Sequence, residues 1–435
     1  MKRNSRPHLS AGTIFMLLLT LLVVFGCAWF MLRITDGDAA DRVSDALSGF
    51  TFAQETPEPT SEARTIPAMT LFPSSTIAPA AAATASPTPV PEKTTITIAA
   101  AGAVYAPKAI RQTVEEGGEA DFTPVFAALG DVLAPADLAI ATLETTTAGS
   151  ERGYGNYNTP AQILDALRAC GVDLLSLATE RALDKDYDGL TITMQEIASR
   201  GLSYAGVSPD GEESGATIMR IGGVQVAVLA YTYGLSDEGR EKTGNDSRGV
   251  LSAMDAESMR SDIARARSEG ANVVIVLPHW GTKNIADVPV NVKRLAAELA
   301  QAGADIILGT HPNVPQSTER IRTTRADGLE YDTVVCYSLG SLLTDARTPE
   351  NTAGMIAHVS VTYDPVTRRT TLGEMYCTPV YIARQRVEGQ TVYRIVDAES
   401  AGALESLTPE EQQAAREAVA RIREATKNND QEGQG

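Results

Sequence analysis

Cysteine, histidine and aromatic side chains are all scarce in this chain. Its 435 residues include four cysteines and four histidines, and Phe, Trp and Tyr together make up 5%. No two cysteines form a CxxC pair, which excludes a structural zinc ribbon and a small disulfide-stapled domain. Positive charge is also short, since 37 Lys and Arg stand against 55 Asp and Glu, for a net charge of -18. Such a balance repels phosphate backbones, so we predict no nucleic-acid partner.

The first long apolar run predicts a membrane anchor. Residues 12–32 carry no charged side chain and, at about 1.5 Å rise per residue, are long enough to span a bilayer core of about 30 Å. Lys2, Arg3 and Arg6 precede the run. The positive-inside rule therefore predicts a cytoplasmic tail over residues 1–11 and a single-pass protein of the cell membrane, with its main domain extracytoplasmic. A cleaved signal peptide and a lipoprotein processed at Cys27 are the alternatives.

The residues that follow predict a tether and then a folded domain. Residues 33–93 are rich in Pro, Thr, Ser and Ala, a composition that buries no core, so we predict a disordered linker. The composition changes near Lys93, and we place the folded domain at residues 94–400. Residues 401–435 are predicted to be a C-terminal helix and tail, in which Thr408 and Glu411 form a capping box. We expect this helix to pack on the domain; a partner-binding helix is the alternative.

Within the folded domain, short apolar runs alternate with helical patterns. Residues 138–143, 172–177 and 305–308 are short, mainly apolar runs, and residues 273–278 are a continuous apolar run; both are typical of buried parallel strands. Helical patterns at residues 160–170, 190–200, 254–268 and 290–302 separate them. Residues 216–221 and 224–231 flank two glycines and predict a hairpin. The pattern indicates an α/β domain, and the strand-rich stretch after residue 333 suggests a second sheet of mixed or antiparallel character.

Two histidines stand at the ends of predicted strands. His279-Trp280-Gly281 follows one apolar run, and Gly309-Thr310-His311 follows the next. Ligands of open α/β sheets collect outside the carboxyl ends of the strands, and imidazole is the commonest metal ligand and acid/base group. A lone histidine is usually structural, but two at neighbouring strand ends predict a shared functional pocket.

Acidic side chains follow other strands of the same type. Glu144 ends the run 138–143, and Glu180 and Asp184 come just after the run 172–177. A solvated loop or the first turn of the next helix explains Glu180 and Asp184 equally well. His358 lies inside an alternating strand, where a structural role is the better interpretation.

These motifs, taken in order, resemble the capsule-synthesis CapA family of bacterial envelope proteins. The resemblance covers about residues 95–380 and rests on Gly102-Ala103, Thr142-Leu143-Glu144, Leu177-Ala178-Thr179-Glu180-Arg181, His279-Trp280-Gly281-Thr282-Lys283, Gly303-Ala304-Asp305, Gly309-Thr310-His311-Pro312-Asn313 and Tyr337-Ser338-Leu339-Gly340-Ser341. It implies a four-layer αββα sandwich of metallophosphoesterase type. It also implies a role in the biosynthesis or handling of capsule or poly-γ-glutamate-type polymer.

The chain departs from the family pattern where metal ligands are expected. Ala103 replaces the first Asp, Thr179-Glu180-Arg181 replaces Asn-Asn-His, Lys283 replaces the Glu after His-Trp-Gly, and Asn313 replaces the second His of His-Pro-His. Glu144, His279 and His311 remain as metal ligands if a divalent metal is retained. Arg181 and Lys283 would repel a metal at this position. At about 4 Å and an effective dielectric of about 20, each of these cations contributes about 4 kcal/mol of repulsion per unit of metal charge.

The resemblance and its departures leave three functions open. The first is a catalytically degenerate module whose Arg181 and Lys283 bind an anionic envelope polymer, with Asn313, Trp280 and Asp184 as further ligand-binding residues. The second is an active metal-dependent hydrolase, with His279, His311 and Glu144 as catalytic residues. The third is a structural envelope ectodomain.

Overall fold

The apolar runs form two stacked sheets with helices on their outer sides. The computed structural model describes residues 91–116, 119–208, 215–244, 249–325 and 328–427. The predicted anchor at residues 12–32 and nearly all of the linker lie outside these residues. No helix among the described residues has both the length and the apolarity needed to cross a bilayer.

The strands belong to two large sheets and one small hairpin. In chain order they are β1 (Thr94–Val104), β2 (Glu115–Glu116), β3 (Glu119–Ala120), β4 (Leu138–Leu143), β5 (Leu174–Ser176), β6 (Ser203–Ala205), β7 (Thr217–Ile221), β8 (Val224–Thr232), β9 (Val273–His279), β10 (Ile306–Leu308), β11 (Thr318–Thr324), β12 (Glu330–Cys336), β13 (Ser341–Leu343), β14 (Ala353–Asp364), β15 (Arg369–Val387) and β16 (Gln390–Asp397). The first sheet has the order β16-β15-β14-β1-β4-β5-β6, with β13 beside β1, and the second has the order β11-β12-β10-β9-β8-β7.

The helices lie between and after these strands. They are α1 (Lys108–Val114), α2 (Thr123–Phe126), α3 (Gly130–Leu133), α4 (Gln162–Ala169), α5 (Asp186–Ser199), α6 (Asp237–Thr243), α7 (Ala256–Ser268), α8 (Val290–Ala302), α9 (Ala401–Glu405) and α10 (Pro409–Ala425). Helix α10 begins after Thr408, whose hydroxyl accepts a hydrogen bond from the Glu411 amide. Its apolar stripe is buried in the larger of the two hydrophobic cores, as expected for a helix that packs on the domain.

Side-chain alternation along the second sheet creates two cores. Val273 and Ile275 of β9 face the first sheet in the larger core, together with residues of α1, α4 and α5. Val274 and Val276 face the opposite way and pack with Met259 of α7 and other residues of α7 and α8 in the smaller core. The layers therefore run helices, sheet, sheet, helices, and the predicted α/β architecture is confirmed.

The late strands do not form a sheet of their own, which corrects the expectation from the sequence. Strands β14, β15 and β16 extend the first sheet, where β14 pairs antiparallel with β1. Strand β12 pairs parallel with β10 in the second sheet. The second sheet thus has a parallel centre and two antiparallel edges, whereas the first is parallel from β1 to β6 and antiparallel from β1 to β16. Long-range pairing of this kind leaves no local signal in residue periodicity.

Candidate functional site

The carboxyl ends of the parallel strands of both sheets meet at one edge of the sandwich. Strands β4 and β5 of the first sheet are followed by Glu144 and by the loop that carries Glu180. Strands β8, β9 and β10 of the second sheet lead to Tyr233, His279 and His311. This edge is where ligands bind in open α/β sheets, and the polar side chains converge there.

The two predicted histidines share one pocket. His311 Nδ1 lies 3.2 Å from His279 Nε2, and the two ring centroids are 4.8 Å apart. His279 Nδ1 lies 3.1 Å from the Thr310 hydroxyl. The backbone of His311 has a φ of 97°, an unusual conformation for a residue with a side chain that turns the loop back towards β9.

Glu180, and not Glu144, is the carboxylate beside the histidines. Donor atoms of Glu180, His279 and His311 all lie within 4.8 Å of one another, and Glu180 Oε2 is 3.5 Å from His311 Nδ1. The loop after β5 reaches across because its Glu180 carbonyl accepts a hydrogen bond from the Ser236 amide, at 2.9 Å. Glu144 is buried nearby, and its Oε2 atom has no hydrogen-bond partner among the described residues.

Both predicted cations point into this pocket and are ion-paired there. Lys283 Nζ lies 2.5 Å from Glu180 Oε1. Arg181 Nη1 donates to Asp184 Oδ2 at 3.3 Å, and its Nε atom lies 3.3 Å from Glu180 Oε1 without forming a hydrogen bond. The Arg181 guanidinium also stacks on the Tyr157 ring, 3.7 Å from its centroid, and Tyr105 stacks behind Tyr157 at 4.7 Å.

Burial and the two cations set the pKa values of the acidic groups. Burial raises the pKa of Glu144 to about 7, although the charge of Lys283 opposes the shift. Burial would also raise the pKa of Glu180, but hydrogen bonds from Lys283 and Tyr233 outweigh it and lower the pKa to about 2. Burial raises the pKa of Asp184 to about 6 against a hydrogen bond from Ser236. Glu180 is therefore a carboxylate at neutral pH.

The histidines are neutral at neutral pH. Burial, followed by the neighbouring His311, lowers the pKa of His279 well below its usual value. Burial lowers the pKa of His311 to about 4; the attraction of Glu180 opposes this shift, and the charges of Lys283 and Arg181 add to it. A neutral imidazole donates one hydrogen bond and accepts another, and both nitrogens of His279 are engaged in this way, by Thr310 and by His311.

The donor atoms of Glu180, His279 and His311 are close enough together to hold one metal ion, but they already bind other groups of the protein. Glu180 Oε1 already binds Lys283, and Glu180 Oε2 accepts a hydrogen bond from the Tyr233 hydroxyl. The histidines bind each other through His311 Nδ1 and His279 Nε2. Two-metal hydrolysis requires ligands for two closely spaced cations, and among the described residues Glu180, His279 and His311 are the one group of three His, Cys, Asp or Glu donors close enough to hold an ion.

Of the other predicted ligand-binding residues, Trp280 lies away from the two histidine rings, in the smaller core. Trp280 is 1% exposed and packs in the smaller core, where its indole donates to the Tyr337 carbonyl at 2.8 Å. This corrects its predicted contact with ligand, because Trp280 follows His279 and so faces the opposite side of the sheet. Asp184 is fully buried and holds Arg181. The Asn313 carbonyl accepts a hydrogen bond from Asn351, at 3.2 Å.

Sequence reasoning missed Tyr233. Tyr233 directly follows β8, just as His279 is the last residue of β9. The rule that ligands bind at the carboxyl ends of strands would therefore have identified Tyr233 as well. Its ring lies 4.5 Å from the His311 ring, its hydroxyl binds Glu180, and 49% of the residue is exposed. Tyr233 therefore forms the solvent-facing wall of the pocket. His358, by contrast, stacks on Tyr376 across the strand pair β14–β15, in keeping with a structural role.

The family model and the curated relatives that match this chain point to the same family. The family model described as bacterial capsule synthesis protein PGA_cap matches residues 97–346. The PGA biosynthesis protein CapA of Bacillus subtilis (strain 168) is 30% identical over 192 residues, which are 44% of this chain and 47% of that protein. The capsule biosynthesis protein CapA of Bacillus anthracis is 27% identical over 188 residues, 42% of this chain and 43% of that protein. The chain thus spans about half the length of the curated relatives it matches.

Two solved structures overlap with the fold more loosely. The calcineurin-like phosphoesterase YfkN from Bacillus subtilis has a TM-score of 0.40 at 13% identity, covering 76% of this chain and 100% of that chain. The 5'-nucleotidase from Candida albicans SC5314 has a TM-score of 0.38 at 11% identity, covering 76% and 57%. Both TM-scores are too low to carry a functional conclusion.

Proposed function

The chain belongs to the bacterial capsule synthesis protein family PGA_cap, and from that premise we propose that it binds an anionic envelope polymer of the poly-γ-glutamate type during capsule biosynthesis. In this proposal it is a membrane-anchored protein, with residues 12–32 in the bilayer and the folded domain outside the cytoplasm. The pocket around Arg181 and Lys283 then binds carboxylates of the polymer and catalyses no hydrolysis.

A set of unpaired buried polar atoms carries the proposal. Glu144 Oε2, Thr179 Oγ1 and Arg181 Nε are each buried without a hydrogen-bond partner among the described residues. Buried polar atoms are almost always paired, and Glu144 lies close enough to Arg181 and Lys283 to feel their charges, so these unpaired atoms favour a binding site for a polar ligand. A carboxylate accepts hydrogen bonds from a guanidinium and a hydroxyl, and a protonated Glu144 can donate to it.

The paired state of the cations predicts the strength of this binding. Lys283 and Arg181 already neutralise Glu180 and Asp184, so the pocket has little surplus positive charge. Each cation nevertheless has more N–H donors than its described contacts use. A single carboxylate is therefore bound weakly, and a polymer with many carboxylates gains affinity by repeated engagement.

Titration of the purified full-length chain with poly-γ-glutamate tests the proposal. We expect saturable binding that weakens when salt is raised above about 0.1 M. Arg181→Ala is expected to weaken it about tenfold, the effect of one charge-assisted hydrogen bond. Arg260→Ala removes an arginine from an exposed pair with Glu298 on the far helical layer and serves as the matched control. Equal loss in both variants, or no binding by a folded chain, contradicts a polymer site at this pocket.

An active hydrolase is the second candidate, and the group Glu180, His279 and His311 favours it. Three donors within 4.8 Å could hold one metal if Lys283 moved away. Hydrolysis of a phosphodiester or γ-glutamyl substrate that His279→Ala abolishes would establish this function in place of the binding module.

A further inference from the structure

The group of metal-ligand atoms formed by Glu180, His279 and His311 has a positive charge next to it, the ammonium of Lys283. Glu180, His279 and His311 present the nitrogen and oxygen atoms that Zn²⁺ commonly binds, yet the Lys283 ammonium lies 2.5 Å from the Glu180 carboxylate. We infer that Lys283 is the resident cation of this group and keeps divalent metal out of it. The inference goes beyond the proposed function, because it holds whichever ligand the pocket binds.

The local backbone fixes the position of Lys283. Gly281 and Asn284, on either side, have φ values of 84° and 61° and turn the chain back on itself. The Asn284 amide donates to the Pro312 carbonyl at 2.7 Å, which joins this turn to the loop of His311. Its side-chain oxygen accepts from Asn351 at 2.9 Å. The ammonium thus reaches inward from a braced turn.

The ammonium and a metal would compete for the same carboxylate. The Glu180 side chain is 4% exposed, whereas that of Lys283 is 35% exposed, so Lys283 closes the solvent side of a buried anion. A divalent ion would have to displace it, or bind against its charge at close range. The hydrogen bond between His279 and His311, at 3.2 Å, is a weaker obstacle, because neutral imidazoles can turn their lone pairs towards a metal.

Removal of this one charge should create a metal site. Lys283→Met keeps the length of the side chain and removes the ammonium. We expect it to bind Zn²⁺ at least about 100-fold more tightly than the unmodified full-length chain, since the repulsion of a dication at this range is several times the thermal energy. The affinity is measured by competition with a chromophoric chelator. A Zn²⁺-dependent rise in melting temperature gives an independent readout.

Two further variants control the experiment. Lys283→Arg retains the charge and should show no gain in Zn²⁺ affinity. Lys283→Met combined with His311→Ala should lose the gain, which locates it at this donor group. If Lys283→Met does not fold, Lys283→Gln provides the same test. Equal Zn²⁺ affinity in a folded neutral variant and the unmodified chain, or a gain that survives His311→Ala, overturns the inference.

Discussion

The Nδ1 atom of His311 and the Nε2 atom of His279 lie 3.2 Å apart, although 32 positions separate the two residues in the chain. The contact arises because β9 and β10 are adjacent parallel strands, and His279 and Thr310 form a bridge at their ends. One ring must donate to the other. The ring that accepts this hydrogen bond uses the lone pair that it would otherwise offer to a metal.

Glu180 is predicted to be the residue on which the pocket's stability depends most. Glu180→Gln removes the anion that faces Lys283, Arg181 and the Tyr233 hydroxyl. We expect a loss of about 3 kcal/mol in the free energy of unfolding, the usual effect of breaking a buried ion pair. Glu238→Gln removes a more exposed pair with Lys185 and should lose less than about 1 kcal/mol. Urea denaturation compares the two, and equal losses would contradict the buried role of Glu180.

Glu144 should give stability a pH dependence of a defined sign. Its pKa is raised from 4.5 to about 7 in the folded chain. Its stabilising contribution is therefore complete below pH 4.5 and is lost as the pH rises through about 7. Relative to the parent chain, Glu144→Gln should gain about 3 kcal/mol over this interval and then stay constant.

The difference between the two chains isolates Glu144. The histidines have lowered pKa values, so they contribute the opposite slope at acid pH, and this slope is common to both chains. Urea denaturation at several pH values, from below 4.5 to above 7, measures the difference. A difference that does not change with pH would show that Glu144 titrates normally.

Tyr157 is predicted to position Arg181 for ligand. The guanidinium lies 3.7 Å from the Tyr157 ring centroid, which restricts where its free N–H groups point. Tyr157→Leu should lower polymer affinity about fivefold, the effect of one cation–π contact, and Tyr157→Phe should restore it. Tyr154→Leu removes the ring beside Arg111 in the same loop and should leave affinity unchanged. An equal loss with Tyr154→Leu would indicate a general effect on the loop.

The parts of the site that follow from strand geometry were predictable from the sequence. His279 and His311 come at the ends of apolar runs, and parallel neighbouring strands bring such ends together. The same alternation places Trp280 on the face opposite His279, so its burial in the helical core could also have been predicted.

The choice between Glu144 and Glu180 could not be made from the sequence. Glu144 directly follows β4, whereas Glu180 lies four residues beyond β5 in a loop held by the Ser236 amide. Its position depends on contacts with the β8–α6 loop, which are distant in the chain. The membership of β14 to β16 in the first sheet is hidden for the same reason, since antiparallel pairing at long range leaves no local pattern.

The metal content of the full-length chain tests the central claim, that the Lys283 ammonium takes the place of a divalent metal in this pocket. The chain is purified without chelators, equilibrated with Zn²⁺, Mn²⁺ and Fe²⁺ in turn, freed of unbound ion and assayed by inductively coupled plasma mass spectrometry. The account predicts well below one equivalent of each metal. One or more equivalents retained by the unmodified chain, and lost from His279→Ala, would contradict it.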